Sequence, residues 1–126
     1  MIQENMMSRQ ELEQAISSFM LELGIPAHLR GYQYLRSAVE MCTHDMELVG
    51  SVTKLLYPDL AKMYQTTDQK IERAIRNAIE VSWERGNSTL FEQLFGYCNS
   101  NEYSRPTNSE YIATVADYIR LKCGLV

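Results

Sequence analysis

Proline is scarce in this chain of 126 residues, with three in all, and glycine, at six, is hardly commoner. That scarcity excludes collagen-like, linker-rich and low-complexity architectures. Long apolar runs are missing too: nothing approaches the roughly 20 residues that a membrane-spanning helix needs. The opening stretch, Met1-Ile2-Gln3-Glu4-Asn5, has neither the basic start nor the apolar run of a signal peptide, so a cytoplasmic protein without a membrane partner is expected. Cysteine is sparse and odd in number. Cys42, Cys98 and Cys123 show no CxxC spacing, and His28 and His44 are scattered, so no metal site is read. The three thiols are expected reduced and mostly buried, and the seven methionines are expected as core filler.

Positive charge is also short. Twelve Lys and Arg stand against sixteen Asp and Glu, a formal charge of −4. This composition excludes a loose, charge-driven nucleic-acid binder, whose affinity comes from neutralising phosphates. Any DNA-binding role would need its basic groups gathered on one face. No nucleophile elbow, phosphate-cradling loop or dinucleotide fingerprint occurs. His44, with Asp45 and Glu47 nearby, reads as a helix end, and His28 reads as a helix entry. No enzyme and no cofactor are expected.

What the sequence does hold is helical periodicity. Six helical segments are read around one core, with no strand, in a single all-α domain spanning residues 1–126. Ser8 and Glu11 form a capping-box signature for a helix from Arg9 to Leu23, stopped by Gly24. Its apolar face is Leu12, Ala15, Ile16, Phe19, Met20 and Leu23. A second helix follows Gly31, with Tyr32, Leu35, Ala38, Val39 and Cys42 on one side. A third segment begins near Val52, and Pro58 is expected to open a new helix to Tyr64 carrying Leu60, Ala61 and Met63. After the polar turn Gln65-Thr66-Thr67-Asp68, the longest helix runs from Gln69 to Arg85. Ser88 is expected to cap Thr89–Phe95. Residues 97–105 read as a polar loop, and Thr107 with Glu110 caps the last helix, where Ile112, Val115, Ala116 and Ile119 face inward.

A short helix, a tight polar turn and a longer helix, from Pro58 to Arg85, have the form of a helix-turn-helix. On the longer helix Ile71, Ala74, Ile75, Ala78 and Ser82 make the inward stripe. The outward stripe is Gln69, Glu72, Arg73, Arg76, Asn77 and Glu80, with Lys70 beside it. Arginine matches the paired acceptors of guanine, asparagine or glutamine matches adenine, and glutamate accepts from cytosine. With Lys62 and Thr67 nearby, the basic groups do gather here. The same stripe also fits an ordinary solvated face, with Glu72 and Arg76 as a surface ion pair.

Several longer motifs accompany that stripe: Gly24-Ile25-Pro26-Ala27-His28, LLYPDLA from Leu55 to Ala61, IERAIRNAIEV from Ile71 to Val81, Trp83, Arg85-Gly86-Asn87, LFGY from Leu94 to Tyr97, and PTNSE from Pro106 to Glu110 running into Val115-Ala116-Asp117. From about Leu12 to Lys122, the chain resembles the DNA-binding effector domain of the sporulation master response regulator, the stage-zero sporulation protein A family. The resemblance implies an all-helical transcription regulator of double-stranded DNA whose helix Gln69–Arg85 enters the major groove. Arg73 would contact guanine, with Glu72 and Arg76 nearby. It also implies a contact to the sigma subunit of RNA polymerase through residues 86–96, with Leu90, Glu92 and Gln93 as the candidates.

The chain departs from the family pattern at Gln69-Lys70, where Ser-Arg is usual, and at Asn77, where His is usual. Lysine removes a planar bidentate fork, and asparagine favours adenine. Cys123-Gly124-Leu125-Val126 replaces a basic tail. The family's members carry a receiver domain that no stretch here matches, so both an excised effector domain and a stand-alone protein stay open. A homodimer on tandem sites, meeting through the last helix and Leu125-Val126, is a further expectation. The alternative to a DNA-binding regulator is a protein-interaction module that keeps the fold and modulates a full-length regulator or sigma factor.

Overall fold

Side-chain caps set most of the helix starts in the computed structural model, which describes residues 7–98 and 104–125. The stretch Met1 to Asn5, the middle of the polar loop and Val126 lie outside the described residues. Helix α1 spans Arg9–Glu22 behind a complete capping box: Ser8 Oγ accepts from the Glu11 amide at 3.1 Å, and the Glu11 carboxylate accepts from the Ser8 amide at 2.8 Å. Helix α2, Arg30–His44, has no side-chain cap, and it starts one residue before Gly31 rather than after it.

A 3-10 turn absent from the sequence reading follows, Met46–Gly50, begun by Asp45 accepting from the Glu47 amide, and the segment expected to begin near Val52 opens as a π turn, Val52–Leu56. The π turn runs directly into helix α3, Tyr57–Tyr64, with Pro58 in its first turn. Proline lacks an N–H and crowds the carbonyl four residues back. The wider turn, in which the Tyr57 amide reaches the Val52 carbonyl, lets the chain coil continuously through that point.

Gln65, in the left-handed region at φ 54°, ends α3, and Thr67 caps helix α4, Asp68–Arg85, by accepting from the Lys70 amide at 3.2 Å. Helix α5, Ser88–Phe95, is capped by Asn87 rather than by Ser88, because the Asn87 amide oxygen reaches both the Thr89 and Leu90 N–H groups. Helix α6, Asn108–Lys122, opens on the Thr107–Glu110 capping box. Among the described residues the fold is all-helical, with six α-helices and no strand, and no helix is long and apolar enough to cross a membrane.

Helix α2 occupies the centre, packed against α1, α3, α4, α6 and the 3-10 turn. Its expected apolar side is buried, but Tyr34, Glu40 and Thr43 are buried as well, because neighbours cover more than one face. Glu40 meets Arg9 Nε at 3.1 Å. The α2–α4 crossing is close at Gly31, where a β-carbon would collide with the Ala74 carbonyl oxygen and come within 2.8 Å of the Ala78 β-carbon. At the far end of α4, Ser82 Oγ donates to the Leu23 carbonyl at 2.6 Å and lies 2.7 Å from the Tyr111 hydroxyl. Gly24 and Gly86 pass so closely beside it that a β-carbon on Gly86 would sit 2.5 Å from the Leu23 oxygen.

The core filler differs from expectation in two respects. Met20 is fully buried, but Met7, Met41 and Met46 are half-buried and Met63 is 54% exposed. Met63 lies on the outer side of α3, away from Leu60 and Ala61, which take the contact with the core. Of the free thiols only Cys42 is buried; Cys98 and Cys123 are half-buried, because each lies beyond the end of its helix.

Two outcomes follow from this packing. Gly31→Ala gains helix propensity but overfills the α2–α4 crossing, and a net loss of about 2 kcal/mol is expected from urea unfolding. Burial pushes the Cys42 thiol from 9.0 up to about 11, with Asp45 adding to the rise, and burial raises Tyr111 despite its bond to Ser82. Both groups hold their protons more tightly when folded, so their contribution is whole below their ordinary values and is lost as pH climbs through the raised ones. The urea midpoint should stay level near neutrality and fall above about pH 9; Cys42→Ala should flatten the first part of that fall.

Candidate nucleic-acid interface

The inward stripe of α4 determines what its outer side presents. Ile71, Ile75, Ala78 and Ser82 are buried, joined by Ile79, and Ala74 is half-buried against α2. That leaves Gln69, Lys70, Arg73, Arg76, Asn77 and Glu80 exposed and Glu72 half-buried. Thr67 and Lys62 are exposed at the turn and on α3. The Thr67 hydroxyl is already engaged as the cap of α4.

The helix is held at several points along its length. Besides the Gly31 crossing and the Ser82 junction, the Asn108 side-chain amide donates to the Tyr57 hydroxyl at 2.9 Å and to the Glu72 carbonyl at 3.2 Å. One residue of α6 thus ties α3 to the amino-terminal part of α4. Burial raises the Tyr57 hydroxyl above its ordinary value, while its bond from Asn108 works in the opposite direction. On the other side, Tyr64 at the end of α3 is fixed to α2: its hydroxyl lies 2.6 Å from Ser37 Oγ, and its ring meets Tyr34 edge-on with centroids 4.9 Å apart. The two helices and their turn therefore present a rigid surface, as a site that reads geometry requires.

The stripe divides electrostatically. Glu72 and Arg76 pair at 3.1 Å along the helix, so Arg76 is oriented by a carboxylate. The Arg73 side chain has no ion-pair or hydrogen-bond partner among the described residues, and neither have the side chains of Lys70, Asn77 and Lys62. Two shallow depressions flank α4. Lys70, Arg73 and Asn77 line one with Arg30, Tyr34 and Thr66. Glu72 and Arg76 line the other with Arg105, Thr107 and Ser109. Gln69, Thr67 and Lys62 line neither. Arg30, Arg105 and Ser109 are additions that sequence reasoning did not make. They come from outside the helix-turn-helix segment, and no local periodicity points to them.

Leu90, Glu92 and Gln93 lie apart from this group, on α5 beyond the carboxyl end of α4. Glu92 and Gln93 are exposed, Leu90 is half-buried, and Phe91 holds α5 down against Trp83 and Tyr111. His28 and His44 are both exposed. Among the described residues no group of three or more His, Cys, Asp or Glu is placed to hold a metal ion.

The model of the family described as "Sporulation initiation factor Spo0A C terminal" matches residues 16–119, which include every candidate in both groups.

Removing the Asn108 tie tests how the interface is held. Asn108→Ala leaves the Glu72 carbonyl and the Tyr57 hydroxyl without their donor, and a loss of about 1–2 kcal/mol is expected in urea unfolding. A variant as stable as the parent would show that α4 is held without this bond.

Proposed function

The chain belongs to the family of the Spo0A C-terminal domain, DNA-binding regulators of sporulation rather than enzymes, and on that premise we propose that it is a single domain that regulates transcription by sequence-specific contacts of α4 in the major groove. The carrying observation is the outer side of α4: Arg73 is exposed and unpaired at the middle of a polar stripe on a helix fixed at both ends. Arg73 offers a fork to the paired acceptors of a guanine. Glu72 orients Arg76 beside it and keeps an oxygen free to accept from a cytosine amino group. Asn77, one turn further on, presents an amide suited to adenine. Gln69, Lys70, Thr67 and Lys62 surround the amino end of α4 and supply backbone contacts that set its register.

The clustering of bases answers the difficulty raised by an overall charge of −4. Glu72 and Glu80 share the stripe but pair with Arg76 and Arg105, and the flank lined by Arg30, Lys70 and Arg73 carries no carboxylate and is free to face phosphate. At the opposite end of α4, Glu92 and Gln93 on α5 offer a surface to the sigma subunit, with Leu90 at its edge. Leu121, 57% exposed on the last turn of α6, is the apolar contact for a second copy on a tandem site.

Arg73→Ala is the test. A duplex enriched from a randomised pool by the parent chain should bind the variant no better than a scrambled duplex, a loss of about 1–3 kcal/mol of discrimination, with the thermal midpoint unchanged. Undiminished preference would overturn the reading. Failure of the parent chain to shift any duplex, together with a stable complex with a full-length regulator or sigma factor, would favour an interaction module instead.

A further inference from the structure

Arg30 is the first residue of α2, and forty positions separate it from Lys70. It nevertheless lines the same depression as Lys70, Arg73 and Asn77. The reason lies next to it in the chain: Gly31 brings the α2 backbone against the Ala74 carbonyl, and Ala74 sits between Arg73 and Asn77 on α4. The start of α2 therefore lies beside the half of α4 that carries the base-reading candidates.

The charge of this depression is one-sided. Arg30, Lys70 and Arg73 line it, and no carboxylate does, in a chain whose acids outnumber its bases. The depression on the other flank of α4 is different, since Glu72 lines it and Arg76 and Arg105 pair with Glu72 and Glu80. Arg30 is exposed, and its side chain has no ion-pair or hydrogen-bond partner among the described residues. The first turn of α2 also lacks a side-chain cap, so its amide dipoles add positive potential on the same side.

We propose that Arg30 clamps a DNA backbone phosphate on the α2 side of α4, setting the tilt at which that helix enters the groove. The inference rests on the reading of α4 as the element that meets DNA. A phosphate contact positions the protein without carrying sequence information, whereas Arg73 specifies. The two roles therefore separate experimentally.

The experiment is a fluorescence-anisotropy titration of Arg30→Ala, Arg30→Lys, Arg73→Ala and Lys122→Ala over a series of salt concentrations. The probes are a single-site duplex enriched from a randomised pool by the parent chain and a scrambled duplex of equal length. Arg30→Ala should weaken binding to both duplexes by a similar factor, roughly fivefold to tenfold, and make the slope of log affinity against log salt shallower by about 0.9. Arg30→Lys should keep most of the affinity, because a point charge serves a phosphate. Lys122→Ala, on the last turn of α6, should match the parent and thereby show that the effect is not one of net charge. Parent-like affinity and slope in Arg30→Ala would overturn the clamp. So would a loss confined to the enriched duplex, which would make Arg30 a base contact. If Arg73→Ala keeps its preference while Arg30→Ala still flattens the salt dependence, the clamp stands and the assignment of base reading to Arg73 falls.

Discussion

The missing side chain at Gly31 is the constraint from which the arrangement of the domain follows. Only a residue without a β-carbon lets α2 approach the Ala74 carbonyl this closely. That approach seats α4 directly on the central helix. Because α2 is surrounded by α1, α3, α6 and the 3-10 turn, anything seated on it is referenced to the whole fold. The polar stripe of α4 consequently has one orientation, and the start of α2 is carried to its flank.

A second set of contacts keeps α4 from pivoting about that point. Ser82 is a polar residue in an apolar stripe, and its hydroxyl serves two partners on other elements, the Leu23 carbonyl and the Tyr111 hydroxyl. The carbonyl at the end of α1, left over by its helix, gains a donor there, and the Tyr111 hydroxyl is spared burial without a partner. Nearer the amino end, Asn108 holds the Glu72 carbonyl. The surface proposed to meet DNA thus draws its rigidity from residues that lie beneath it or beside it.

Much of this was legible in the sequence because it is local. Capping boxes at Ser8 and Thr107 involve residues three apart, and the two stripes of α4 repeat with the helical period, so both could be read along the chain. The match over residues 16–119 agrees with the motifs that suggested the family. What escaped reading is tertiary. The π turn before Pro58 arises where a helix must continue through a residue that opposes it. Burial of Tyr34, Glu40 and Thr43 depends on how many neighbours surround α2, and the placement of Arg30 depends on the contact of Gly31 with Ala74, far along the chain. Asn87 displaced Ser88 as the cap of α5 for a subtler reason, since both are good capping residues and only the backbone path chooses between them.

The Ser82 junction also bears on how the chain finds its fold. Its two bonds close loops of 59 and 29 residues, joining the end of α1, the far half of α4 and the first turn of α6. Closures of that span cost chain entropy before any local helix can compensate, and they slow folding relative to a bundle of sequential hairpins. They also make the helices interdependent. Opening the carboxyl half of α4 releases α1 and α6 together, so the amide hydrogens around Ser82 would exchange with solvent only when the whole domain unfolds.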